Sequence, residues 1–173
     1  EIQNKDGSFQ GRLIDEPQPT PVVFNTGMII FGLIAAYKAT ENQVFLQSAT
    51  RAGDWLVDIQ DKDGVWRKVN ALNGDSWALS QLYKITGKET FLYAATQNIN
   101  SVLGKQQENG WYKFSSLTLD MSQQPLLHFF AYTTRGMLES GMLLQERPYV
   151  RSAFHAAKIL RHRLLEDGVL YGR

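Results

Sequence analysis

His128, Tyr132, Arg135 and Glu139 are spaced by four, three and four residues, which at about 100° per residue keeps them within a narrow arc of one helix. An imidazole, a phenol, a guanidinium and a carboxylate on one arc can move protons and can hold hydroxyl or carboxylate groups through paired hydrogen bonds. The opposite arc, Phe130, Met137, Gly141 and Leu144, is apolar and fit for packing. In two upstream segments aligned without gaps, the equivalent positions are Phe24, Met28, Phe31, Ala35 and Asn70, Gly74, Trp77, Gln81. Aromatic faces on one wall, with His, Arg, Glu, Asn and Gln on another, suit a sugar ring. Such a ring stacks its C–H face and hydrogen-bonds its hydroxyls or carboxylate. Plainer readings stand beside this one. A polar stripe on an amphipathic helix is commonly a solvated face, aromatics such as Phe24, Phe31 and Trp77 are more often core than ligand platform, and Arg135 with Glu139 forms an i,i+4 pair worth a few tenths of a kcal/mol.

The elements that would position this stripe come from a repeat. Gln3 to Phe9, Gln60 to Trp66 and Gln106 to Tyr112 each run from Gln through Asp-Gly or Asn-Gly to an aromatic residue, and Leu164 to Leu170 is a weaker copy. The distance from the aromatic residue opening each second helix to the motif glycine is the same in Phe45 to Gly64, Phe91 to Gly110 and Tyr149 to Gly168. Each unit is therefore expected to be a helical hairpin. First helices are expected at about 26–40, 75–86 and 129–145, and second helices at about 43–60, 88–107 and 148–165. Pro148 suits a first helical turn, and the motif glycine offers the left-handed residue that ends a helix, so that the aromatic can fold back as a latch. Long segments after the motif, "GSFQGRLIDEPQPTPVVFN" and "WYKFSSLTLDMSQQPLLHFF", mark one end of the scaffold as the candidate mouth. That rim carries Asp15, Glu16, Arg67, Asn70, Asp75, Lys113 and Asp120. Inner-helix N-termini there would favour an anionic group such as a uronate.

Arg51-Ala52, Trp55-Leu56, Gln60, Gly64 and Trp66 together resemble the full QW motif of squalene and hopene cyclases, with the segments at Gln3 and Gln106 similar to degenerate copies. The resemblance implies an all-α, α/α-toroid fold, with inner and outer helices circling a central cavity, as in terpenoid cyclases, protein prenyltransferases and several carbohydrate-active families. "QPLLHFFAYTTRGMLESGMLL" and "VVFNTGMIIFGLIAAYKAT" resemble segments of uncharacterised bacterial α/α-toroid proteins associated with polysaccharide metabolism, similar in fold to glucuronyl epimerases and unsaturated glucuronyl hydrolases. Three hairpins amount to about half of such a ring. The chain is thus expected to be one toroid fragment over 1–173, in units of about 10–66, 67–112 and 113–173, within a longer protein.

Bulk properties narrow the field. With 18 Lys+Arg against 17 Asp+Glu and a net charge of +1, no nucleic-acid or anionic-membrane footprint is evident. The apolar run from Val22 to Ala36 is interrupted and short of a bilayer span of about 20 residues, so no transmembrane helix is expected. No cysteine is present, which leaves the compartment open. Nucleotide loops, zinc motifs and nucleophile elbows are not seen, and no cofactor or metal is expected. The expectation is a carbohydrate-active toroid, a hydrolase, lyase or epimerase acting on a polysaccharide or oligosaccharide, with uronates among the candidate sugars. Two facing carboxylates would serve glycoside hydrolysis, and a carboxylate with Tyr or His would serve proton abstraction beside a uronate carboxyl. His128, Tyr132, Arg135 and Glu139 are the catalytic candidates, with Trp77, Gln81, Asn70, Asp75, Phe31 and Asp120 as substrate-binding candidates. His155 and His162 fall on an outer helix as surface or packing residues. A terpenoid cyclase or prenyltransferase relative is the alternative, although it lacks an Asp-rich motif here. A non-catalytic repeat scaffold is the third reading. A carbohydrate is the expected ligand, and open flanking helix faces leave room for a homodimer or for the remainder of the toroid.

Overall fold

The computed structural model describes residues 2–11, 20–66, 75–113 and 127–168. These form six helices: α1 (Val23–Thr40), α2 (Gln43–Asp58), α3 (Asp75–Thr86), α4 (Glu89–Leu103), α5 (Leu127–Leu144) and α6 (Arg147–Asp167). Among the described residues the only extended pairing is two isolated antiparallel bridges, Gln10 with Pro21 and Gln106 with Tyr112. Helices pair as α1/α2, α3/α4 and α5/α6. A row of first helices runs α1–α3–α5, with the second helices α2, α4 and α6 along its outer side. The tight turn between α1 and α2 shows how a hairpin is made. Glu41 takes a left-handed φ of 56° and donates its N–H to the Tyr37 carbonyl, ending α1, and the Asn42 side chain then accepts from the Val44 N–H to open α2.

The three Gln-to-Gly segments fold alike. Gln3, Gln60 and Gln106 each donate Nε2 to the carbonyl of the glycine four residues on (Gly7, Gly64, Gly110) and to a carbonyl on an outer helix: Ser48 on α2, Ala94 on α4 and Ser152 on α6. Gln60 and Gln106 follow α2 and α4, so each ties one hairpin to the next. This is also why α2 and α4 stop at Asp58 and Leu103, short of the expected Gln60 and Gln107: the Gln backbone has left the helix so that its side chain can bridge. Gly64 shows the constraint most clearly. Its φ is +82°, and a Cβ there would lie 2.4 Å from the Gln97 carbonyl oxygen, a backbone atom of α4. Only glycine takes that conformation cheaply and lets the two backbones meet.

The aromatic that follows each glycine is buried: Phe9, Trp66 and Tyr112. Each contributes about 1.5–3 kcal/mol of burial. Trp66 donates its indole N–H to the Leu56 carbonyl at 2.7 Å. The Tyr112 hydroxyl lies 2.9 Å from Ser152 Oγ, and burial pushes its phenol above the ordinary value, with the Ser152 hydrogen bond opposing. Around these latches the core divides in two. One part holds Ile30, Ile34, Leu56, Leu79, Leu82 and Phe91, and the other holds Ile99, Phe130, Met137 and Tyr149.

α1 differs from its expected form. It begins at Val23 rather than residue 26, because Thr26 already donates to the Val22 carbonyl. At 18 residues it is long and apolar enough to cross a membrane by length and composition, contrary to the expectation from the interrupted run. Its Val23, Gly27, Ile30 and Ile34 side is buried, in a helix that packs against both α2 and α3. The inner side is apolar too, which makes α1 the least amphipathic of the six.

Candidate functional site

The inner row is curved. Helices packed side by side lie about 8–10 Å apart, so α1 and α5, on either flank of α3, would be about twice that distance apart in a flat row. Yet Phe24 on α1 and Tyr132 on α5 meet ring to edge, with centroids 5.1 Å apart. The row therefore bends toward the side that carries these two rings, and His128 packs edge-on to Tyr132 at 4.8 Å on that side. The stripe His128, Tyr132, Arg135, Glu139 thus lies on the concave face. His128 and Arg135 are exposed there, and Tyr132 and Glu139 half-buried.

One turn below Tyr132, three equivalent positions of the three hairpins come together. Phe31 of α1 packs against Trp77 of α3 with ring centroids 4.1 Å apart, and the Arg135 guanidinium of α5 lies over the Trp77 ring at 4.5 Å from its centroid. Because α1 and α5 flank α3 on opposite sides, Trp77 is sandwiched. Both faces of the indole are thus occupied by protein, Phe31 on one side and the Arg135 guanidinium on the other. The indole Nε1 is buried and finds no hydrogen-bond partner among the described residues. The next level carries Gln81, half-buried on α3, and Glu139 on α5. Arg135 Nε stands 3.7 Å from Glu139 Oε1, an i,i+4 ion pair with both side chains open to solvent.

Asp75, expected on an open rim, opens α3 and is buried, 2 % exposed. Burial holds its carboxyl well above the usual carboxylate range, and its Oδ2 makes no hydrogen bond among the described residues. The cause is a distant glycine. A Cβ on Gly27 of α1 would fall 1.8 Å from Asp75 Oδ1, so the missing side chain at Gly27 is the space the carboxylate fills. Nothing local to "NGDSW" signals this. Asn70 and Asp120, together with Asp15, Glu16 and Arg67, lie outside the described residues. Lys113 is exposed just after the third staple.

Outer-helix histidines do other work. His155 Nε2 lies 3.0 Å from the Glu108 carbonyl, and His162 Nδ1 pairs with Glu166 at 3.2 Å. One shallow groove is lined by Phe154, His155 and Arg161 of α6, and another by Gln47 and Arg51 of α2 with Thr86 at the end of α3.

Among curated proteins none matches the chain. The family model described as "Beta-L-arabinofuranosidase, GH127 catalytic domain" matches residues 3–147, a span that takes in the first two staples, the third through Tyr112, and the whole inner row.

Proposed function

The chain belongs to the GH127 β-L-arabinofuranosidase catalytic-domain family, a glycoside hydrolase family, and from that premise we propose that its concave face is one wall of a sugar-binding cleft for a β-L-arabinofuranoside. The observation that carries this reading is the convergence, on the concave side of the inner row, of Tyr132, Arg135 and Glu139 from α5 with Phe24, Phe31 and Trp77 from α1 and α3. In this reading the three hairpins, about 10–66, 67–112 and 113–173, are consecutive units of an α/α toroid, and the lumen is where the glycoside sits. Arg135 donates to sugar hydroxyls, Tyr132 and His128 supply hydroxyl and imidazole contacts nearer the N-terminal ends of the inner helices, and Gln81 borders the level of Glu139.

Glycoside hydrolysis transfers a proton to the departing oxygen while a second group activates water or attacks the anomeric carbon. Among the described residues of α1, α3 and α5 the carboxylates are the buried Asp75 and the half-buried, solvent-reached Glu139, so Glu139 takes one of these roles. The complementary group comes from elsewhere than these three helices. Arg135 already faces Glu139, and a uronate carboxylate would bring a second anion beside the first, a repulsion that grows as water is excluded. A neutral furanoside therefore suits the pair better than the uronate considered from sequence.

The test is release of L-arabinose from a terminal β-L-arabinofuranoside by the full-length protein. Glu139→Gln is expected to lower kcat/KM about 100-fold, within the usual contribution of a positioned acid or base, with an unfolding midpoint close to that of the parent. Undiminished hydrolysis by that variant would remove Glu139 from the chemistry.

A further inference from the structure

An indole whose two faces are taken by Phe31 and by a guanidinium cannot stack a sugar, and this raises the question of what the sandwich is for. The guanidinium is planar, with its five N–H groups in the plane. Its central carbon lies over the Trp77 ring at 4.5 Å from the centroid, and its N–H groups project from its edges. The Nε edge faces Glu139 at 3.7 Å, too long for a hydrogen bond, which leaves the Nη edge to meet a ligand. Phe31 at 4.1 Å backs the indole from the far side, so the ring cannot tip away from Arg135 without moving α1 side chains.

We propose that Trp77 is a positioning and specificity-determining residue that acts through Arg135, aligning the guanidinium edge beside the Glu139 carboxylate so that the pair reads two neighbouring hydroxyls of a neutral sugar ring. The inference rests on the reading of this face as a sugar site. One hydroxyl oxygen accepts from Arg135 Nη, and its neighbour donates to Glu139. A donor edge and an acceptor side by side match a vicinal diol, which offers an acceptor and a donor at the same spacing. A sugar lacking either hydroxyl leaves one member of the pair unanswered. The Trp77–Arg135 contact is worth what cation–π pairs at partly open sites are worth, so its loss shows in affinity rather than as a collapse of the fold.

The experiment is a double-mutant cycle of Trp77→Leu and Arg135→Ala in the full-length protein, with Trp77→Phe as the conservative variant. It is read on KM and kcat for a terminal β-L-arabinofuranoside and on calorimetric binding of methyl β-L-arabinofuranoside and its 2-deoxy and 3-deoxy analogues. Trp77→Leu is expected to raise KM about tenfold while kcat changes less than about threefold, Trp77→Phe to restore most of the loss, and Trp77→Leu to add nothing in the Arg135→Ala background. At least one deoxy analogue is expected to bind about as weakly to the parent as the intact glycoside binds to Arg135→Ala. Losses that multiply in the double variant, or a Phe variant no better than Leu, would overturn the proposal while leaving the hydrolase reading intact. Binding with a non-additive cycle but no hydrolysis by the parent would overturn the hydrolase reading and uphold the role of Trp77. No binding of the glycoside at all would overturn both.

Discussion

Against the three outer helices one glutamine side chain does one job three times, from Gln3, Gln60 and Gln106, whereas on the inner face the three hairpins place Phe31, Trp77 and Arg135 in a single register. The staples leave little freedom. Gln3, Gln60 and Gln106 make the same two kinds of bond, and Ser48 and Ser152 add a hydroxyl donated to the Gln carbonyl oxygen where the outer helix carries serine. The inner positions are not held to one residue type by the fold. A phenyl ring, an indole and a guanidinium all fit there because each meets its neighbour across a curved row rather than filling a socket. Where geometry permits such difference, ligand chemistry can be written into it.

The largest effect expected at the staple end is that of Gly64→Ala. The new Cβ would meet the Gln97 carbonyl oxygen at 2.4 Å and its carbon at 2.5 Å, at a φ of +82°. Strain plus a backbone clash should cost about 3 kcal/mol or more, a fall of roughly 10 °C in Tm for a chain of this size. Gly87→Ala sharpens the point. Gly87 has a φ of +68° but nothing within 4 Å of the added Cβ, so only the conformational cost of about 1 kcal/mol remains. Equal losses in the two variants, measured by denaturant unfolding, would mean that the close approach of the Gly64 loop to α4 is not what makes glycine necessary.

Gln60→Ala comes between these. It removes the bonds to the Gly64 and Ala94 carbonyls, but Asn98 Nδ2 still donates to the Gly64 carbonyl at 2.8 Å. The expected cost is about 1–2 kcal/mol. A loss beyond the Gly64→Ala value would place more of the inter-hairpin energy in the side chain than in the backbone contact.

The inner row has its own stability signature, smaller and dependent on pH. Burial raises the Asp75 carboxyl above its unfolded value, so the contribution of the protonated form is fully present below the ordinary carboxylate range and is lost as pH rises through the raised value. Asp75→Asn keeps the shape and cannot ionise. The stability difference between variant and parent should therefore grow in favour of Asn with rising pH, read from urea midpoints between about pH 4 and about pH 9. A constant difference would mean that the folded protein binds its proton no more tightly than the unfolded chain at this position.

The staples were legible in the sequence because Gln, Gly and the aromatic residue act at fixed local spacing, whereas the motif glycine ends its helix only at Gly168 after α6, since α2 and α4 stop earlier, at Asp58 and Leu103. The stripe from His128 to Glu139 was legible for a similar reason, since a helical period alone puts its members on one arc. What was not legible depends on the approach of separate helices. Asp75 reads as a rim acid until Gly27, 48 positions earlier in the chain, is seen to make room for it. Trp77 reads either as core or as a stacking face, and only the approach of Phe31 and Arg135 from two sides shows how it is packed. No periodicity within α3 reports either neighbour.

The central claim is that the staples hold the scaffold while the inner face does the chemistry, and one paired measurement tests it most directly. Unfolding midpoint and hydrolysis of a β-L-arabinofuranoside should be measured together for Gln60→Ala and Glu139→Gln. The account expects Gln60→Ala to lower the midpoint and keep most of its kcat/KM well below the transition, and Glu139→Gln to keep the midpoint and lose about 100-fold in kcat/KM. If Glu139→Gln turned over substrate like the parent, or lost activity only in step with its fold, the concave stripe would be a solvated helix face and the claim would fail.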